Sequence, residues 1–236
     1  MSEYYQTRMP RMKTKTRKSK LVLLQKYLNL ETNELKVDNN PGNILYEKII
    51  RKKQLDKRIS NCHKCGINHN IKSFTKSVPG WGNLNANIFF IGESPCLHSM
   101  IANFPFAWRS GRILDIILKL SGLIRYDVYI SNTVHCHLES KRMPTDKEIK
   151  KCSVYLSKEI CLVHPKLIVA LGNSAKNAMT YTVKSRLFML WSIKTKGGET
   201  LPCKILHVRH PAAFLYNSTG LRDYILKLSL ELDKYT

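Results

Sequence analysis

From residue 84 onward, short apolar runs alternate with longer stretches in which apolar positions recur every three or four residues. Asn87 to Ile91 is a short apolar run closed by Gly92, and Gly111 to Leu120 follows with Ile113, Leu114, Ile117 and Leu118 at helical spacing. Val128 to Ser131 reads as a second strand. Thr145, with Glu148 three residues on, forms a capping box for a helix reaching about Leu162. Lys166 to Leu171 is a third buried strand, followed by Gly172 and a helix from about Ser174. Lys204 to Val208 makes a fourth, before a terminal helix near Leu221 to Leu232. Strands alternating with helices predict an α/β fold: three layers, α/β/α, around a central four-stranded parallel sheet. In such sheets ligands gather at the carboxyl ends of the strands, which is where chemistry is sought.

Upstream the pattern changes. Residues 42 to 59 carry Ile44, Leu45, Ile49, Ile50 and Leu55 among basic residues, an amphipathic surface helix leading into the domain. Residues 1 to 20 hold Arg8, Arg11, Lys13, Lys15, Arg17, Lys18 and Lys20 opposed only by Glu3, a composition that cannot fold alone. The expected division is a disordered basic arm over 1–40 and a single catalytic domain over 41–236.

Charge then narrows the partner. Lys and Arg total 39 against 17 Asp and Glu, a formal net charge of +22 in 236 residues. Such an excess attracts polyanions through its field and through counterion release, and DNA is the expected partner. The longest N-terminal apolar stretch, Leu21 to Leu24, is too short for a signal-peptide core, and no run approaches a membrane span, so a soluble, intracellular protein without membrane contact is expected, most simply a monomer. Seven cysteines without a secretory signal point to metal ligation rather than to a disulfide framework.

Four segments follow the four strands: Gly92-Glu93-Ser94-Pro95, Asn132-Thr133-Val134-His135-Cys136, Gly172-Asn173-Ser174-Ala175 and His210-Pro211-Ala212. Polar and titratable residues therefore converge on one sheet edge. Cys62 and Cys65 form a Cys-x-x-Cys pair, and Cys136 and Cys152 lie far downstream. Two ligands from a loop and two from the domain suit a tetrahedral thiolate site, which spacing alone leaves open to zinc or to an iron-sulfur centre. Cys161 and Cys203 lie in apolar contexts, as core thiols do.

Ile91-Gly92-Glu93-Ser94-Pro95, Pro105-Phe106, Arg109 to Asp115, Gly122-Leu123, Val128 to Asn132, Pro165 to Gly172 and His210-Pro211-Ala212 together resemble the family 4 uracil-DNA glycosylases in order and spacing, over about residues 60 to 220. The resemblance implies a monofunctional DNA glycosylase that flips out an altered base, uracil first, and leaves an abasic site. It implies a 4Fe-4S cluster on Cys62, Cys65, Cys136 and Cys152. It makes Phe106, thirteen residues after Glu93, the aromatic on which the base stacks. Asn132 is expected to read the base edge, since its amide both donates and accepts, with Ser94 beside it. His210 is expected to stabilise the departing base anion, with Glu93 completing the catalytic set. Gly172, Asn173 and Ser174 are expected at a DNA phosphate, Arg109 on the DNA, and Phe214 or Leu215 as a wedge, unless these two face the core. No lysine stands out as a Schiff-base nucleophile, so water attacks the sugar.

The family's Gly and acidic pair after the first motif are absent: the chain reads Pro95-Cys96-Leu97-His98-Ser99-Met100. Its small residue after Pro-Phe-x is Trp108. These changes fall where water is positioned and base size is judged. They leave open a glycosylase for another altered pyrimidine, such as a hypermodified cytosine of foreign or viral DNA. A non-catalytic iron-sulfur DNA-binding protein and a zinc-stapled scaffold are the remaining readings.

Overall fold

The structure, a computed structural model, describes residues 41–65, 75–138, 142–185 and 203–236. The expected basic arm over 1–40 lies outside them. The chain divides into two compact units, Met1–Ile49 and Ile50–Thr236. A 20-residue helix, α1 (Pro41–Ser60), opens the described chain where an amphipathic helix was expected. In the second unit its Leu55 and Ile59 pack with Val134, Leu138, Cys152 and Tyr155.

The predicted strands all form, as β2 (Ile88–Gly92), β3 (Tyr129–Asn132), β4 (Leu167–Leu171) and β5 (Lys204–Val208). They are joined by β1 (Trp81–Gly82), a two-residue strand. The order is β1-β3-β2-β4-β5. The pairs β3-β2, β2-β4 and β4-β5 are parallel, while β1 runs antiparallel along β3 with Trp81 opposite Ile130. The four-stranded parallel sheet is as expected, and the fifth, antiparallel edge strand is an addition. Two residues carry no periodicity, which is why pattern reading passes over β1.

Among the described residues six helices flank this sheet or precede it: α1, α2 (Leu97–Ala102), α3 (Arg109–Leu120), α4 (Asp146–Val163), α5 (Gly172–Val183) and α6 (Leu221–Leu232). Alternation along the strands decides which residues each layer receives. Ile88 and Phe90 of β2, Ile130 of β3 and Leu167 and Val169 of β4 share one apolar cluster with α3 and α6. Their neighbours turn the other way, where the Tyr129 ring stacks on Phe89 at 4.8 Å and its hydroxyl reaches Glu159 of α4. Parallel strands covered on both faces must be apolar throughout, and β2, β3 and β4 are buried at every position. The helix α4 starts as its sequence dictates: the Thr145 side chain accepts from Glu148 N and the Glu148 carboxylate accepts from Thr145 N.

Candidate active site

The ends of β2 and β3 lie in register, Gly92 opposite Asn132. Gly92 is the space in which two expected site residues meet. A Cβ on it would come to 2.5 Å from Asn132 Oδ1 and 2.5 Å from the Phe106 ring. Only glycine leaves that room, so the buried Asn132 amide and the Phe106 ring close on the same backbone atom.

Phe106 holds a left-handed backbone, φ 57°, a conformation that a bulky residue adopts only when its surroundings impose it. The imposing group is Arg125. Its guanidinium donates to the carbonyls of Pro105 (3.2 Å), Phe106 (2.8 Å) and Gly111 (3.2 Å), and it is held in turn by Asp115 (2.5 Å). A Cβ on Gly111 would collide with the Phe106 carbonyl, so Gly111 too is required for this turn. Sequence reading missed Arg125 because a fork that collects three carbonyls leaves no spacing motif.

His210 follows β5 and precedes a short 3-10 helix, Pro211–Leu215. Its Nδ1 accepts from the Ala212 backbone N–H at 3.1 Å. A nitrogen occupied as an acceptor carries no proton, so the neutral ring bears its hydrogen on Nε2 and presents a donor there. Burial pushes the imidazole down to about pKa 4, which keeps it in that neutral form. The ring lies 5.7 Å from that of Phe106, nearly parallel to it. Gly172, with φ +84°, passes directly beneath: a Cβ there would stand 3.1 Å from His210 Cβ.

Glu93 and Ser174 also meet, the serine hydroxyl donating to Glu93 Oε2 at 2.7 Å. Ser174 is buried and so committed to the carboxylate, whereas Asn173 is exposed at the first turn of α5. Ser94 is half-buried on the same loop, and Arg109 is exposed at the start of α3. One expected DNA contact needs correction. Phe214 is buried in the core, its ring 4.7 Å from Tyr224 of α6, while Leu215 is 42% exposed and Tyr216 84%. The 3-10 turn points Phe214 inward against α6, leaving Leu215 and Tyr216 to project.

Cys62, Cys65, Cys136 and Cys152 line one cavity together with Val134, Leu138 and Tyr155. Burial pushes the Cys136 thiol up to about 11, against a hydrogen bond from Ser77, and the thiols of Cys152, Cys62 and Cys65 raise it further. Burial also raises the Cys65 thiol, and a cationic centre in this cavity would stabilise both Cys65 and Cys136 as thiolates. Among the described residues no three His, Cys, Asp or Glu side chains converge as a single ion requires. His63 is exposed, and His69 lies outside the described residues.

Residues 79–231 match the family model described as the uracil DNA glycosylase superfamily. The chain belongs to this superfamily. It is 33% identical over 172 residues to a type-4 uracil-DNA glycosylase of Archaeoglobus fulgidus, covering 71% of this chain and 85% of that one. A type-4 uracil-DNA glycosylase of Thermotoga maritima is 32% identical over 179 residues, 73% of this chain and 88% of its own. A type-5 uracil-DNA glycosylase of Pyrobaculum aerophilum is 28% identical over 150 residues, 52% of this chain and 66% of its own. The α/β sheet of the glycosylase superfamily is thus the frame on which these side chains sit, and the chain is a DNA glycosylase, a hydrolase of the N-glycosidic bond.

Within this glycosylase a second group of residues, unforeseen from sequence, stands behind the cysteines. His135, on the loop leaving β3, brings Nδ1 to 3.2 Å from Cys152 Sγ and Nε2 to 3.3 Å from Glu159 Oε2. Glu159 is fully buried and also accepts from Ser131 Oγ (2.5 Å), Tyr129 OH (3.3 Å) and Gly80 N (2.7 Å). Lys52 of α1 donates to Gly80 O at 2.8 Å. A buried carboxylate with four donors is a satisfied group rather than a liability. Burial would raise its pKa, and the adjacent His135 holds it below the ordinary carboxylate range. Among the described residues no helix is long and apolar enough to cross a membrane.

Proposed function

We propose that the chain is a monofunctional uracil-DNA glycosylase acting on DNA inside the cell as a monomer. The observation that carries the reading is the meeting at Gly92 of the Phe106 ring and the Asn132 amide, beside an imidazole whose Nδ1 is occupied as an acceptor and which therefore presents its N–H at Nε2. A flipped uracil stacks on Phe106, and its edge pairs with the Asn132 amide, which donates to one base atom and accepts from another. As the bond from N1 to the sugar breaks, the electron pair leaves with the base, and the His210 Nε2–H stabilises the charge gathering on the base oxygen. Water adds to the sugar carbon and gives up its proton toward Glu93, which the Ser174 hydroxyl holds in place. The exposed amide end of α5 around Asn173, with Arg109 and Leu215, holds the strand.

The four cysteines hold a 4Fe-4S cluster in this reading, and the cavity they line together supports it. When bound, the cluster supplies a staple between the Cys62–Cys65 loop, the loop leaving β3 and α4; the reaction itself belongs to the side chains at the sheet edge.

The test is abasic-site formation by the purified full chain on single-uracil oligonucleotides, with His210→Ala beside it. Loss of one donor aimed at developing charge lowers the rate by about 10² to 10³. Uracil excision at wild-type rate by His210→Ala would remove His210 from the reaction, and no excision by the wild type would overturn the function. Iron and sulfide analysis of the same preparation reads the cluster independently.

A further inference from the structure

We propose that His98 and Trp108 form a nucleobase platform at the rim of the pocket, on which a base flanking the flipped nucleotide stacks. The proposal rests on the glycosylase reading above and adds a subsite to it. The two rings lie 3.9 Å apart between centroids with 1° between their planes. They join the two loops that frame the pocket. His98 sits on α2, which begins directly after the loop Glu93 to Cys96, and Trp108 stands two residues beyond Phe106.

A brace alone does not account for this pair. The loops are already tied by Ser99, whose hydroxyl accepts from Ala107 N at 3.2 Å and whose carbonyl accepts from Phe104 N at 3.0 Å. Trp108 is the N-cap residue of α3 yet makes no capping bond through its side chain. It leaves 37% of its surface in water, where an indole brings the fold little. What it offers is a flat π surface beside cations: the Arg112 guanidinium lies 5.9 Å from its ring, and Arg109 is exposed next to it. Stacked rings flanked by arginines are the features that take a base and its phosphate from a single strand without reading sequence.

The test uses the full chain and fluorescence anisotropy of an oligonucleotide whose single uracil nucleotide is made uncleavable by a 2′-fluoro sugar. A second oligonucleotide replaces the base flanking the uracil with a stable abasic spacer, on the 5′ side and then on the 3′ side. Stacking on an aromatic side chain is worth a factor of about ten in affinity per base. Trp108→Ala should therefore bind the intact strand about tenfold more weakly, Trp108→Phe should recover most of the loss, and His98→Ala should weaken binding in the same direction. One abasic spacer should weaken the wild type by the same factor and leave Trp108→Ala unchanged. Equal penalties for Trp108→Ala on intact and spacer strands would make Trp108 a brace and overturn the platform, as would no penalty at all. Uracil excision by the wild type is read on a cleavable strand in parallel. Its absence would overturn the glycosylase reading while the binding cycle still judges the platform.

Discussion

The rings of Phe106 and His210 lie 5.7 Å apart between centres, with 24° between their planes. A ring inserted between them would need about 7 Å, twice the contact distance of carbon atoms. In the proposed reading the base would therefore rest on Phe106 and meet His210 along its edge, where an Nε2–H donor reaches an exocyclic carbonyl oxygen.

The neutral state of His210 has a pH signature. The free imidazole titrates near 6.5, and the folded one near 4 because of burial. Activity that depends on the neutral ring should stay level from pH 7 to about 5 and fall only toward 4. A protonation step near 6.5 in kcat/KM, absent from His210→Ala, would contradict the assignment. Stability moves with the same group. Between pH 6.5 and 4 the unfolded chain takes up a proton that the folded chain refuses, so the contribution, about 3 kcal/mol, is complete above 6.5 and lost as pH falls through that window. Urea unfolding at pH 7 and pH 4.5 should show a smaller loss in His210→Ala than in the wild type.

Gly92→Ala places a methyl group between Asn132 and the Phe106 ring. Both must move, and a displacement of about 1 Å in a reacting geometry costs on the order of a hundredfold. The variant should fold with near-normal stability and lose activity by that factor. Near-normal kcat/KM would mean that the two side chains do not act on the same base.

Arg125→Lys should not rescue Arg125→Ala. A lysine brings one point charge to a place where a planar fork serves three carbonyls and Asp115. Either change should cost about 2 kcal/mol in thermal or urea unfolding. It should also raise KM more than it lowers kcat, because Phe106 loses the clamp that holds its left-handed backbone. A lysine variant with wild-type KM would make Arg125 merely structural.

Cys136→Ala and Cys62→Ala should destabilise the domain more than they alter the chemistry of what remains folded. Melting curves and visible absorbance should drop together, while the fraction that survives still excises the base. Unchanged melting with abolished excision would place the thiols in the reaction.

Much of this was legible in the residues. Thr145 and Glu148 announce α4 because a capping box is local, and the apolar runs announce the parallel strands because burial on both faces leaves no polar position. Phe214 and Leu215 were indistinguishable: adjacent apolar residues diverge only once α6 offers Tyr224 to one of them. Arg125, and the pairing of His135 with Glu159, escaped because their partners lie 10 to 24 residues away with no recurring interval. The stack of His98 on Trp108 was visible only as two separate departures from a pattern, and folding turned them into one object.

The loop leaving β3 is laced to the loop leaving β2 along its whole length. Thr133 N donates to Gly92 O, Val134 N to Glu93 O, and His137 Nδ1 to Pro95 O. One stretch of backbone thus carries Asn132 at one end and Cys136, four residues later, at the other. Asn132 and Cys136 therefore share one backbone frame, tied between them to the neighbouring loop. With the backbone between them pinned, the side chain at position 136 can change without moving the amide at position 132.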